Sequence, residues 1–211
     1  MCGRFTQSKD PNQIAKRFRV DSIALEDFQP SYNIPPTAKV PIIIATERGR
    51  RLESGRWGVK REWAPQIINL QAEKLLKGAF KNAVRARRCI VPADGFYEWG
   101  RAGGKKYPVR FQLPGAELFG FPGIYDEGEP KAFVIFTTTP NEVVAKVHAR
   151  MPAILVPENE DAWLDPRQTD LPTLVGLLLP YPPDRIESYP VSPAVNSPKN
   201  NSPELIRPIT R

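Results

Sequence analysis

Apolar residues along this chain gather in short runs broken by proline, glycine and charged turns, and only a few segments carry helical spacing. "KVPIIIAT" (39–46) and "RRLESGRWGV" (50–59) read as a strand pair joined by a turn around Arg48 and Gly49. Further strand-like runs follow in "CIVPADGFYEW", "KKYPVRFQL", "ELFGFPGIYD" and "KAFVIFTTT", and then in "MPAILV" and "RIESYPVS". Helical signals are fewer. Asp10 and Pro11 make an N-cap and first-turn pair opening "NQIAKRFR". "AEKLLKGAFKNAVRAR" predicts one helix disturbed at Gly78, or two short ones, and short helices are expected over "NEVVAKVH" and from "NEDAWL". The pattern predicts an α+β fold, mainly antiparallel β in a curved, barrel-like arrangement with a few short peripheral helices. With no repeat, low-complexity run or linker to divide it, a single domain over residues 1–211 is expected.

Composition narrows the class. The 24 prolines favour turns, edge strands and rigid loops over long helices. Lysine and arginine outnumber aspartate and glutamate by 30 to 23, a net charge of +7 that suits a polyanionic partner without requiring one. The start of the chain has no apolar core like that of a signal peptide, and "LPTLVGLLLP" is proline-bounded and far short of a membrane span. A reducing cytoplasm is therefore expected, where two cysteines are free thiols rather than a disulfide. With no CxxC pair and a single histidine, no metal site is expected, and no cofactor is implied.

The reactive residues are few. Cys2 directly follows Met1, and loss of Met1 leaves an α-amine and a thiol on adjacent carbons. Such a 1,2-aminothiol reacts distinctively with aldehydes: the amine gives an imine, and the thiol then closes a five-membered thiazolidine. An α-amine is roughly 10–15% neutral at pH 7 and a lysine only about 0.04%, so the chain end is the better amine nucleophile. Read alone, Cys2 is better explained as a small hydrophobe that happens to follow Met1. Glu98, between Tyr97 and Trp99, suits general acid–base work if its aromatic neighbours desolvate it, and is otherwise a solvated strand-end carboxylate. His148 is the one imidazole available for proton transfer, or else a helix-end cap. "YPVRF" and "VRARRC" mix basic residues with aromatics, a pattern shared by nucleic-acid contacts and by solvated faces. Cys89 reads as a core thiol.

"MCGRF" (1–5), "SYNIPPT" (31–37), "RWG" (56–58), "ADGFYEW" (93–99) and "HARMP" (148–152), followed by "VSPAVNSPKN", together resemble the SRAP family, the SOS response-associated peptidases. The resemblance covers essentially the whole chain. It implies a monomeric protein that recognises abasic sites in single-stranded DNA and crosslinks to them through Cys2 once Met1 is removed, shielding the lesion as a thiazolidine. It further implies proton transfer by Glu98 during imine formation, and assistance by His148 in opening the abasic sugar and in reversing the crosslink. Asn69 would orient the Cys2 end. Asn33 would lie beside the site, Arg4 and Arg150 would bind flanking phosphates, and Trp57 is expected at the surface where flanking bases rest, with the core as its other reading. Lyase activity at the lesion and self-removal of Met1 go with the same chemistry.

One stretch departs from the family pattern. Where "NARxET" is expected the chain reads "NLQAEK", so Gln71 stands in a phosphate-binding arginine's place and Lys74 in a threonine's. Glutamine cannot reproduce a charged, forked contact, which leaves Lys74 or Lys77 to compensate. Two other classes remain open: a cysteine peptidase or amidase using Cys2, and a non-catalytic binder of single-stranded nucleic acid.

Overall fold

The computed structural model describes residues 2–209. Its first strand, β1 (Phe5–Gln7), leads into α1 (Pro11–Phe18), which starts where the sequence predicts. Asp10 accepts from the N–H groups of Asn12 and Gln13, the Gln13 side chain returns the bond, and Pro11 fills the first turn. Ile14 and Phe18, one turn apart, carry the helix's buried face.

The chain continues through β2 (Ser22–Ala24), β3 (Ser31–Ile34), β4 (Lys39–Thr46) and β5 (Gly49–Trp57). The β4–β5 hairpin turns at Gly49, whose φ of +102° lies in the region that favours glycine. A small hairpin, β6 (Val59–Arg61) and β7 (Ala64–Ile67), precedes β8 (Asn69–Gln71). The expected helical stretch divides at Gly78 into a 3₁₀ turn (Ala72–Lys77) and α2 (Lys81–Ala86). Then come β9 (Arg88–Ala93), β10 (Gly95–Ala102), β11 (Lys105–Gln112), β12 (Phe119–Asp126) and β13 (Lys131–Thr138). The last part holds α3 (Glu142–Ala145), β14 (Met151–Pro152), α4 (Glu160–Leu164), α5 (Leu171–Gly176) and β15 (Glu187–Pro190). One expectation changes here: "MPAILV" pairs as a strand only over Met151–Pro152. The apolar "LPTLVGLLLP" stretch, too short for a membrane span, holds the short helix α5, capped by Asp170.

Two main sheets result. The smaller has the order β15–β11–β10–β1–β3, and the larger β14–β13–β12–β9–β4–β5–β2, with β8 alongside β13. Because β13 also pairs with β5, in parallel, the strands β5, β4, β9, β12 and β13 close on themselves in a ring. This is the form taken by the curved arrangement expected from sequence. It explains the nearly unbroken apolar runs of β4, β9 and β13, whose residues are buried on both faces.

Aromatic side chains join the two sheets. Phe5 of β1 lies 5.0 Å from Trp57 and 5.7 Å from Phe121, and Phe96 of β10 lies 6.3 Å from Phe121. Each such fully buried ring contributes about 2–3 kcal/mol by removal of apolar surface from water. Since β1 is an inner strand with a buried aromatic anchor, the chain start is fixed where chain starts usually fray.

Candidate functional site

Cys2 lies just ahead of β1, whose register sets Phe5 opposite Phe96 and Thr6 opposite Gly95. The Arg4 carbonyl accepts from the Tyr97 N–H at 2.9 Å, so the continuing chain runs beside Glu98. From the other side, Asn69 on β8 donates its Nδ2–H to the Cys2 carbonyl at 2.6 Å. The Asn69 Oδ1 is buried without a hydrogen-bond partner among the described residues. The first residues are therefore held by main-chain pairing and by one amide side chain. Cys2 is fully buried, and burial, with the Glu98 carboxylate second, pushes its thiol well above the ordinary cysteine range. It is a protonated thiol at neutral pH and not a ready thiolate.

Glu98 sits on β10 opposite Val109, and burial raises its carboxyl from 4.5 to about 7. The solvated alternative for this residue is thus excluded. Its Oε2 lies 3.9 Å from His148 Nε2. His148 follows α3, which Asn141 caps by accepting from the Val144 N–H. His148 Nδ1 lies 3.1 Å from both the N–H and the carbonyl oxygen of Arg150, so the Arg150 main chain holds this edge of the ring in either tautomer and turns Nε2 toward Glu98. Burial lowers the imidazole below its ordinary 6.5. A carboxyl pushed up and an imidazole pushed down are both suited to proton transfer near neutrality. Cys2, Asn69, Glu98 and His148, far apart in sequence, thus form one cluster.

Of the residues expected on a DNA-facing surface, Trp57 lies in the core, Asn33, Arg4 and Arg150 bond to other parts of the protein, and Gln71 stays beside the site. Trp57 is fully buried, with its ring on Phe5 and its Nε1–H donated to the Ile68 carbonyl at 3.0 Å. It is core rather than surface, because β5 ends between the two sheets. Asn33 is not in a loop open to a ligand. It is buried on β3, and its Nδ2 donates to the carbonyls of Val195, Ser197 and Asn200. Arg4 bonds Asn33 Oδ1 at 2.6 Å and the Val195 carbonyl at 3.0 Å, so its guanidinium binds the C-terminal segment in place. Arg150 is gripped by Glu73 at 2.8 and 3.0 Å. Gln71 is half-buried on β8 opposite Thr137.

One residue escaped the sequence reading. Trp63, at the turn between β6 and β7, is 68% exposed, and its ring lies 6.5 Å from that of Phe80. With Asn69, Gln71 and Lys74 it lines a groove of about 300 Å³ that reaches the reactive cluster through Asn69. Lys74 and Lys77 on the 3₁₀ turn are exposed. The signal was an isolated tryptophan in the charged stretch "KREWAPQ", with no apolar periodicity to bury it. A cavity of about 390 Å³ elsewhere is lined by Lys131 and Glu53, which pair with each other at 2.9 Å, and by none of the reactive residues.

A family model described as "SOS response associated peptidase (SRAP)" matches residues 1–198. The chain is 44% identical over 221 residues to the "Abasic site processing protein YoqW" of Bacillus subtilis (strain 168), covering 98% of this chain and 99% of that one. It is 30% identical over 227 residues to the "Abasic site processing protein HMCES" of Gallus gallus, covering 86% of this chain and 67% of that one. An X-ray structure of a protein from Bacteroides thetaiotaomicron superposes with a TM-score of 0.84 at 22% identity, covering 99% of this chain and 100% of the other, and shows a shared fold.

Proposed function

The chain belongs to the SRAP family, and on that premise we propose that it processes abasic sites in damaged DNA by bonding covalently to them through Cys2. The observation that carries this reading is the Asn69–Cys2 hydrogen bond beside a buried carboxyl raised to about 7. It holds the start of the chain in register with a proton-transfer pair.

The chemistry begins with hydrolysis of the Met1–Cys2 peptide bond, which frees the Cys2 α-amine. At the lesion, the C1′–O4′ bond of the abasic sugar opens as the C1′ hydroxyl loses a proton and O4′ gains one, a transfer suited to His148. The α-amine adds to the resulting aldehyde to give a carbinolamine. Glu98, about half protonated near pH 7, can donate the proton with which the hydroxyl leaves as water, giving a protonated imine and the Glu98 carboxylate. The thiol then adds to the carbon of the protonated imine, its proton returns to the Glu98 carboxylate, and the thiazolidine is complete with a neutral ring N–H. Because burial keeps Cys2 a thiol, the amine acts first and sulfur second. Elimination from the imine before sulfur closes the ring would give lyase activity.

Single-stranded DNA suits this site better than duplex, since a splayed base can stack on the exposed Trp63 while Lys74 and Lys77 meet phosphates. One chain supplies Cys2, Asn69, Glu98 and His148, so a monomer suffices. A cysteine hydrolase acting in trans is less well supported, because it needs a thiolate and the Cys2 thiol is raised.

The test is incubation with single-stranded DNA carrying one abasic site, read as a heat-stable adduct on a denaturing gel. Intact mass must first show that Met1 is gone. Cys2→Ala should lose the stable adduct yet keep an imine that borohydride traps. Absence of adduct from correctly processed protein refutes the reading.

A further inference from the structure

Glu73 has no part in the chemistry above, yet it holds one of the most heavily bonded side chains near the site. Its two carboxylate oxygens take both terminal nitrogens of Arg150, at 2.8 and 3.0 Å. Arg150 Nη2 also donates to the Thr137 carbonyl at 2.7 Å and to Thr137 Oγ1 at 3.2 Å. The Arg150 guanidinium keeps Glu73 below the ordinary carboxylate range, and the carboxylate also accepts backbone hydrogen bonds from Glu73 itself and from Thr139. The pair therefore ties the 3₁₀ turn to the end of β13.

The main chain of Arg150 faces the reaction. Its N–H and its carbonyl oxygen both lie 3.1 Å from His148 Nδ1, and β14 begins at the next residue, where Met151 pairs with Thr138. Anything that moves Arg150 moves the imidazole. A phosphate would have to displace a bidentate carboxylate to reach this guanidinium, whose charge is already matched.

We propose that Glu73 and Arg150 form a positioning clamp for His148: Glu73 fixes Arg150, and the Arg150 main chain at Nδ1 fixes the aim of the imidazole toward Glu98. This deepens the crosslinking role proposed above and rests on it. Neither clamp residue is assigned contact with the lesion.

Glu73→Gln keeps the side chain's shape and removes its charge and one acceptor. Because His148 is the only histidine of the chain, its ring gives a single set of imidazole signals in NMR of the full-length protein. The charged groups acting on the ring include Glu98 from β10, Arg150 with its partner Glu73, and the α-amine of the chain, which lowers the ring along with burial. In the wild type the ring should titrate below its ordinary 6.5, and in the variant it should move further down, because the Arg150 backbone hydrogen bond that raises it is loosened and the guanidinium loses its matching carboxylate. The first-order rate of adduct formation at saturating DNA should fall roughly tenfold, since small misplacements of a proton-transfer group are costly. Binding of single-stranded DNA carrying a tetrahydrofuran analogue, which has no aldehyde, should stay within about twofold. In a His148→Ala background, Glu73→Gln should slow the reaction by less than about twofold, and Glu73→Asp should restore part of the rate in the wild-type background. An unchanged histidine titration with tighter DNA binding would overturn the proposal, making Glu73 a screen over a phosphate site. An undiminished loss in the His148→Ala background would overturn it as well. If the wild type makes no adduct, the crosslinking role fails, while the titration still tests the clamp.

Discussion

Replacing Glu98 with glutamine tests the buried acid directly, because the amide keeps the side chain's shape and cannot ionise. In the folded protein the carboxyl titrates at about 7 rather than 4.5, and desolvation is the leading cause. A group raised in this way favours folding fully below its unfolded value, and that contribution is lost as pH rises through its folded value. Between pH 4.5 and 7 the unfolded chain ionises Glu98 freely while the folded chain resists, which costs about 3 kcal/mol of stability by pH 7. Glu98→Gln removes this cost. Urea unfolding should give no difference between the two proteins at pH 4 and a variant about 2–3 kcal/mol more stable at pH 8. The same variant should form no stable adduct. Equal stabilities at pH 8 would show that Glu98 is not held protonated by its surroundings. An equal gain at pH 4 and pH 8 would trace the effect to packing instead.

Asn33→Ala should behave as a folding defect rather than a binding defect. It leaves three carbonyls of the 195–200 segment and the Arg4 guanidinium without their amide, a loss of about 2–3 kcal/mol seen by urea unfolding, with earlier proteolysis near the C-terminus. Trp63→Ala removes an exposed ring, so unfolding should be unchanged while single-stranded DNA binds roughly tenfold more weakly in fluorescence anisotropy. Asn69→Ala releases the Cys2 carbonyl and should slow adduct formation roughly tenfold at saturating DNA, followed on denaturing gels. Raising salt should weaken non-covalent capture of DNA, and a flat response would argue against phosphate contacts.

Local rules carried much of the fold. Asp10 and Pro11 start α1, the Arg48–Gly49 turn joins β4 to β5, and the central apolar runs are strands. What stayed hidden has physical causes. β1, β3 and β8 are too short to display a period, and their identity comes from the neighbours they pair with. Ring closure depends on the parallel pairing of β13 with β5, a contact between residues far apart that no window of sequence contains.

The site divides along the same line. Residue type alone left Cys2, Glu98 and His148 open to bland readings, the resemblance singled them out, and the structure brings them together. For Arg4, Arg150, Asn33 and Trp57 the type was legible but the partner was not. An arginine motif reads the same whether its fork meets a phosphate or, as with Arg150, a carboxylate on a neighbouring turn. Both guanidiniums expected to hold DNA already have partners within the protein, Asn33 and the Val195 carbonyl for Arg4 and Glu73 for Arg150. That moves the search for phosphate contacts toward the cations left uncommitted beside Trp63, namely Lys74 and Lys77, in the stretch where Gln71 stands in place of the expected arginine. The sequence departure and the internal use of Arg4 and Arg150 thus point to the same face, where flexible lysines rather than forked arginines would grip the backbone and trade geometric precision for adaptable charge.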